Sequence, residues 1–190
     1  MIACGLRSLV YGDMLMLLKN QTLPYEINAG DTDRTVKKWI AEITTQFRQG
    51  KGLSGSAMKR NLAAIAADFH AIPRQKKDLK KVGIVGEIYV KYSSFGNNGL
   101  EKFLLSQGCE CMVPGVLGFF QFSFSDILVD CKYYGGSVFK RLAGKAVARI
   151  ADGWEQCLID ALKPYPEFAA PLPFERVEKL AETVIDRGVK

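Results

Sequence analysis

Residues 81–90 read KVGIVGEIYV, and this stretch decides the fold. It is short, almost continuously apolar and rich in β-branched side chains, which is typical of a parallel strand buried on both faces. A polar loop, SSFGNNG, follows at 93–99, and a segment with helical apolar spacing at 100–105 is stopped by Gly108. Residues 109–114, CECMVP, predict a second strand. Strand, helix and strand with short joins predict a βαβ unit with a small parallel sheet.

The residues before this unit predict three helices. The first ends at Asn20, the second runs to Phe47, and the third stops before Pro73, because the residue before a proline disfavours helix. The expected N-terminal caps are Asp31 or Thr32 for the second helix and Ser54 or Ser56 for the third. The apolar face of the second helix is expected to bury Val36, Trp39, Ile40, Ile43 and Phe47.

The segment at 119–131 leaves two structures open. Phe120, Phe122 and Phe124 alternate with polar residues, which favours a strand. The length of the apolar stretch through Cys131 favours a buried helix instead, and we adopt the helix.

Two further helices are predicted towards the end of the chain. The first covers 138–162, with an interruption expected at Gly153, and a proline-rich crossing follows at 164–173. The second covers 174–187, and Gly188 closes it.

These elements predict a helix-rich α/β fold with a βαβ core of flavodoxin-like, or Rossmann-like, kind. Residues 1–78 form a helical section, and residues 79–190 form an α/β section. Two strands are few for a parallel sheet, so the α/β section is expected to be partial and to continue beyond the end of this chain.

Charge and composition narrow the classes of function. The 190 residues carry a net charge of +6, and the densest basic cluster comprises Arg74, Lys76, Lys77, Lys80 and Lys81. A solvated linker, a phosphate contact and nucleic-acid binding would each use such a cluster, but no nucleic-acid fold signature accompanies it. No apolar run has the length of a membrane span, and the five cysteines lack a disulfide framework, which indicates a cytoplasmic protein with reduced thiols.

The loop after the first strand is the strongest candidate site, because ligands of open α/β sheets bind at the carboxyl ends of strands. Small residues and free amides at a helix start can hold a phosphate or carboxylate. The candidate cofactor-binding residues are Gly86, Glu87, Tyr89, Ser94, Gly96, Asn97, Asn98 and Gly99. The alternative is that Asn97 or Asn98 only caps the helix.

No catalytic residue or metal ligand is predicted. Cys109 and Cys111 have a spacing that suits packing on one face of a strand better than a metal site. His70, the only histidine, suits a helix end, and no nucleophile can be assigned to it. Tyr25 and Glu26, with Asp31 and Asp33 after them, fit capping and packing, although a catalytic carboxylate pair stays open.

Several of these blocks resemble activase-related, D-component-like proteins of the 2-hydroxyacyl-CoA dehydratase family. In those proteins a strand with G-E-I-Y-V, an N-N-x-L-E helix and a V-V-P strand are similar to residues 81–92, 95–105 and 108–114 here. An upstream R-P-Y-E…G-E-T-D stretch is similar to residues 23–33, where Leu23 replaces the Arg and Asp31 the Glu. The resemblance covers roughly residues 5–187, and its central block is fairly specific.

The resemblance implies a piece of a larger iron–sulfur protein. Such proteins are long, with an ATPase module of the actin/sugar-kinase type, and the dehydratases remove water from 2-hydroxyacyl-CoA with a [4Fe–4S] cluster while their activators use ATP. The expected cluster ligands lie outside this chain, and its own cysteines match none of them. We therefore expect an incomplete, non-catalytic part that shapes a cleft for a cofactor, acyl-CoA or another anionic small molecule. The alternative is an assembly domain that docks an ATPase activator or the remainder of the parent polypeptide.

Overall fold

The computed structural model describes residues 2–185. The helices are α1 (Ile2–Thr22), α2 (Asp31–Arg48), α3 (Gly55–His70), α4 (Ile88–Tyr92), α5 (Leu100–Ser106), α6 (Val116–Tyr133), α7 (Val138–Leu162) and α8 (Phe174–Ala181), with a 3₁₀ turn at Leu23–Tyr25, and the strands are β1 (Lys80–Gly83) and β2 (Cys109–Met112). The described chain is therefore a helix-rich α/β protein, as predicted.

The two strands form a parallel pair, which confirms the small parallel sheet. Lys80 lies opposite Cys109 and Gly83 lies opposite Met112. The pairing continues one residue further, where Ile84 N donates to Met112 O at 2.9 Å. Both α4 and α5 lie in the connection between the strands, so the unit is βαβ with a broken helix.

The prediction that the first strand is buried and reaches residue 90 is wrong. β1 ends at Gly83, and Tyr89 lies in α4. Gly86 adopts a φ of +138°, and Glu87 caps α4 by accepting a hydrogen bond from Tyr89 N at 2.8 Å. Apart from half-buried Val82, the residues of β1 are exposed. A short apolar run does not distinguish a buried strand from a strand-turn-helix, and here the glycine decides.

The ambiguous aromatic segment is a helix, which confirms the structure that we adopted from its length. α6 runs without a break from Val116 to Tyr133. α7 is also continuous, so the interruption expected at Gly153 is wrong; a Cβ there would meet nothing within 4 Å. α8 begins at Phe174 as predicted, whereas the expected end at Arg187 and Gly188 lies outside the described residues.

The hydrophobic core is built around α1. Val10, Met14 and Leu18 are fully buried there. The core takes residues from α2 and α3 on one side and from the later part of the chain on the other, namely Leu117, Ala151, Leu158, Leu162 and Phe168. The helical section and the α/β section therefore share one core.

Two predicted details of α2 are wrong, and one of α3 is confirmed. Neither Asp31 nor Thr32 caps α2; the Glu26 carboxylate accepts from Gly30 N at 2.7 Å and from Thr32 N at 2.8 Å instead. Ile40, expected in the core, is 53% exposed. Ser54 caps α3 as predicted, since its hydroxyl accepts from Ala57 N at 3.1 Å.

Within residues 2–185, none of the helices combines the length and the apolar character that crossing a bilayer requires.

Candidate ligand-binding cleft

The eight residues predicted to bind a cofactor all follow β1, at its carboxyl end. They are Gly86 and Glu87 before α4, Tyr89 within α4, and Ser94, Gly96, Asn97, Asn98 and Gly99 before α5. Gly96 packs against the ring of Tyr89, because a Cβ at Gly96 would lie 2.8 Å from Tyr89 Cε1. The loop therefore folds onto α4.

The amides of this loop are largely used within it. Asn97 Oδ1 accepts from Gly99 N at 3.1 Å and from Leu100 N at 3.2 Å, so it caps α5. The Ser93 hydroxyl accepts from Gly96 N at 3.2 Å. The geometry thus displays the capping alternative at Asn97, and ligand binding by this loop stays a prediction.

Two apolar cavities open where the carboxyl end of β2 meets α1 and residues 169–174. Their volumes are about 310 Å³ and 570 Å³. Five residues line both cavities, which makes them one continuous cleft: Leu17, Val113, Pro114, Gly115 and Pro171. None of the eight loop residues, all in the described part of the chain, lines either cavity. The cleft therefore lies at the predicted edge of the sheet, but beside the other strand.

Asp13 fixes the wall of the larger cavity. Its carboxylate, on α1, accepts from Val116 N and Leu117 N, both at 2.8 Å, and so caps α6. A Cβ at Gly115 would lie 2.6 Å from Asp13 Oδ2, so the close approach requires glycine. Burial raises the pKa of Asp13, while the two amide hydrogen bonds and Lys91 partly oppose the rise.

Glu155 plays the same part on the opposite wall. Its Oε2 accepts from Phe174 N at 2.9 Å, at the start of α8, and from Gln121 Nε2 at 3.1 Å. Burial raises the pKa of this carboxyl as well. Both acidic groups of the larger cavity are therefore engaged as helix caps.

A third cavity of about 530 Å³ is polar and cationic. It is lined by four of the five residues of the predicted basic cluster: Arg74, Lys76, Lys77 and Lys81. Gln21 and Glu110 line both this cavity and the smaller apolar one, so the two cavities meet at these side chains. The basic cluster is thus more than a solvated linker, because it forms the charged end of a cleft whose other end is apolar.

Tyr25 is held at this junction. Its hydroxyl donates to Glu110 Oε2 at 2.6 Å, and Lys81 Nζ lies 3.5 Å from the other carboxylate oxygen. Burial, together with the hydrogen bond and the charge of Glu110, raises the pKa of Tyr25 to about 12. Asp31 and Asp33 pair with other residues, so the structure does not form the carboxylate pair beside Tyr25 that the sequence left open.

The proline-rich segment at 164–173 covers the cleft. Gln21 holds it by donating to Ala169 O at 2.9 Å and accepting from Ala169 N at 2.7 Å. Glu167 accepts from His70 Nδ1 at 2.5 Å and from Arg74 at 3.1 Å. His70 thus ends α3 as expected and also anchors the cover.

The described residues do not suit an iron–sulfur cluster. Among residues 2–185, no group of three or more His, Cys, Asp or Glu side chains converges as metal ligands would. The Cys111 thiol is buried against the backbone of α5, and burial raises its pKa, whereas a cluster binds the thiolate. No step below is therefore routed through a cluster.

The sequence analysis missed four polar residues of the cleft. They are Asp13, Asn20, Gln21 and Glu110, each 6% exposed or less except the half-buried Gln21. A signal was available for Asp13 and Asn20, because they interrupt an otherwise apolar helix, where a buried polar group is informative.

No family model, no curated protein and no solved structure matches this chain.

Proposed function

We propose that this chain is a non-catalytic part of a 2-hydroxyacyl-CoA dehydratase/activase-like iron–sulfur protein, and that its cleft holds a CoA thioester or a similar anionic, partly apolar molecule. The flavodoxin-like kinship of the βαβ core is part of the same proposal. The ATP and [4Fe–4S] chemistry would belong to the rest of such a protein, and the docking of an ATPase module is considered separately below.

The observation that carries the proposal is the polarity of the cleft along its length. At one end, four cationic side chains outnumber the carboxylates of Glu110 and Glu167. Lys76 is exposed, and neither Lys76 nor Lys77 forms an ion pair within the described residues. At the other end, the walls are apolar side chains and prolines. A molecule with phosphates on a flexible arm and a short apolar acyl group matches both ends.

The carboxylates of the cleft support binding more than catalysis. Asp13 and Glu155 are committed to backbone amides, and Glu110 is committed to Tyr25 and Lys81. A general base needs a free acceptor within reach of a substrate proton. The acidic groups thus position helices and walls around the ligand.

Isothermal titration calorimetry with butyryl-CoA, CoA and butyrate tests the proposal. Butyryl-CoA should bind tightest, because it alone occupies both ends of the cleft. Replacing Lys76 and Lys77 with serine should weaken butyryl-CoA and CoA by roughly two- to fivefold per lysine. The matched control is Lys145→Ser, which removes an exposed lysine of α7 that lines none of these cavities. Absence of binding, or equal losses in the control, would refute the proposal.

A second function, assembly with an ATPase module, is favoured by α7. Its buried residues, among them Gly144 and Ala151, lie on one side, yet Phe139, Leu142 and Ile150 are 84%, 59% and 52% exposed on the other. A helix that is apolar on opposite sides is normally covered on both.

Sedimentation velocity tests this second function. If the exposed side of α7 is an interface, the wild-type chain should self-associate or aggregate more readily than a Phe139→Ser, Leu142→Ser variant. Identical sedimentation of the two proteins over a wide concentration range argues against assembly through this side.

A further inference from the structure

The smaller apolar cavity contains one polar group without a partner. Its walls come from α1, the carboxyl ends of β1 and β2, and residues 169–171 of the covering segment. They are apolar over most of their area, with Leu17, Val113 and Pro171 as typical members. A dry cavity with such walls takes an apolar group, and each polar atom in the wall decides which one.

The unpartnered group is the side-chain amide of Asn20. Asn20 lies on α1, lines this cavity and is only 6% exposed. Its Nδ2 is buried without a hydrogen-bond partner among the described residues. Leaving a buried donor unsatisfied is unfavourable, so an acceptor supplied from the cavity would be stabilised.

The other polar groups of the cavity are already engaged. Gln21 spends its carboxamide on the backbone of Ala169, and Glu110 is bound by Tyr25 and Lys81. Glu110 also places a carboxylate in the same wall, which disfavours an anionic group at this end of the cleft.

We propose that this cavity binds the uncharged, carbonyl-bearing part of a ligand, with the carbonyl oxygen accepting a hydrogen bond from Asn20 Nδ2. This inference rests on the cleft being the ligand site proposed above, and it adds the group that is recognised and the residue that recognises it. Asn20 is a binding residue here and takes part in no bond making.

Two probes of nearly equal shape isolate the hydrogen bond: acetophenone, which carries a carbonyl oxygen, and α-methylstyrene, in which a methylene group replaces that oxygen. Each is titrated into ¹⁵N-labelled protein, and amide chemical shifts give the affinity. Acetophenone should bind about tenfold more tightly. The side-chain amide protons of Asn20 should move downfield with acetophenone only.

Two variants complete the test. Asn20→Leu keeps the size of the side chain and should abolish the preference while α-methylstyrene still binds. Thr22→Val is the matched control, because Thr22 Oγ1 is also buried without a partner but does not line the cavity. That variant should keep the tenfold preference.

The outcomes separate this inference from the proposed function. If both probes bind the wild-type protein equally, or if Asn20→Leu retains the preference, the role of Asn20 is refuted while the cleft stands. If neither probe binds, the cavity does not accept apolar groups, and both the inference and the apolar half of the proposed cleft fall.

Discussion

At the scale of single residues, the contact between Asp13 and Gly115 holds the cleft open. The backbone of Gly115 has ordinary angles, with φ −64° and ψ 151°, so alanine would be tolerated there by the backbone itself. The obstacle is Asp13 Oδ2, 2.6 Å from a Cβ at that position. We therefore predict that Gly115→Ala lowers the free energy of unfolding by about 1–3 kcal/mol, measured by urea denaturation.

Gly118, three residues further in the same helix, provides the control. A Cβ there would meet nothing within 4 Å, so Gly118→Ala should stabilise the protein by about 0.5–1 kcal/mol through helix propensity. In an Asp13→Ala background, the penalty of Gly115→Ala should largely disappear. Equal effects of the two glycine substitutions would contradict this account of Gly115.

Capping residues show what could be predicted from local sequence. Ser54 caps α3 through a hydroxyl three residues away, and its pattern is readable in the sequence. Asp13 caps α6 across 103 positions, and no local pattern announces such a partner. The prediction of Asp31 or Thr32 for α2 failed for a related reason, because Glu26 reaches over the intervening turn.

At the scale of elements, length was the more reliable signal. α6 is a helix although its phenylalanines alternate, because 18 residues are too many for an ordinary strand. The run at 81–90 is short, and there the apolar pattern misled: β1 stops at Gly83 and α4 starts at Ile88. Gly86 at a positive φ separates them, and this was the local evidence against one continuous strand.

The covering segment should respond to acid. Burial disfavours ionisation of Glu167, but hydrogen bonds from His70 and Arg74 outweigh it and hold the pKa of this carboxyl below its ordinary value of 4.5. A carboxyl with a depressed pKa in the folded state stabilises the protein above pH 4.5, and this contribution is lost as the pH falls through the folded-state pKa. Glu167→Gln should therefore lower the unfolding free energy at pH 7 and have a much smaller effect near pH 3.

Thermal unfolding of both proteins from pH 3 to pH 7 measures this difference. Glu175→Gln is the control, because Glu175 also has a pKa lowered by a lysine, Lys179, but is fully solvent-exposed. Its substitution should change stability little at any pH. A Glu167→Gln effect that does not depend on pH would show that the segment is held by packing of Phe168 alone.

At the scale of the whole molecule, the cleft joins segments that are distant in sequence. Its walls come from α1, the strand ends and the proline-rich cover, which span residues 13–177. The sequence correctly indicated the carboxyl edge of the sheet as the place for a ligand. It could not indicate which of the two strand ends faces a cavity, because that depends on where α1 and the cover pack.

The central claim is that a ligand occupies this cleft with its phosphates at the basic end. Chemical-shift mapping of ¹⁵N-labelled protein with butyryl-CoA tests it most directly. We predict that the shifted amides cluster at residues 74–81, 110–115 and 169–171, with little change at 94–100. Shifts confined to residues 94–100, or no shifts at millimolar butyryl-CoA, would contradict it.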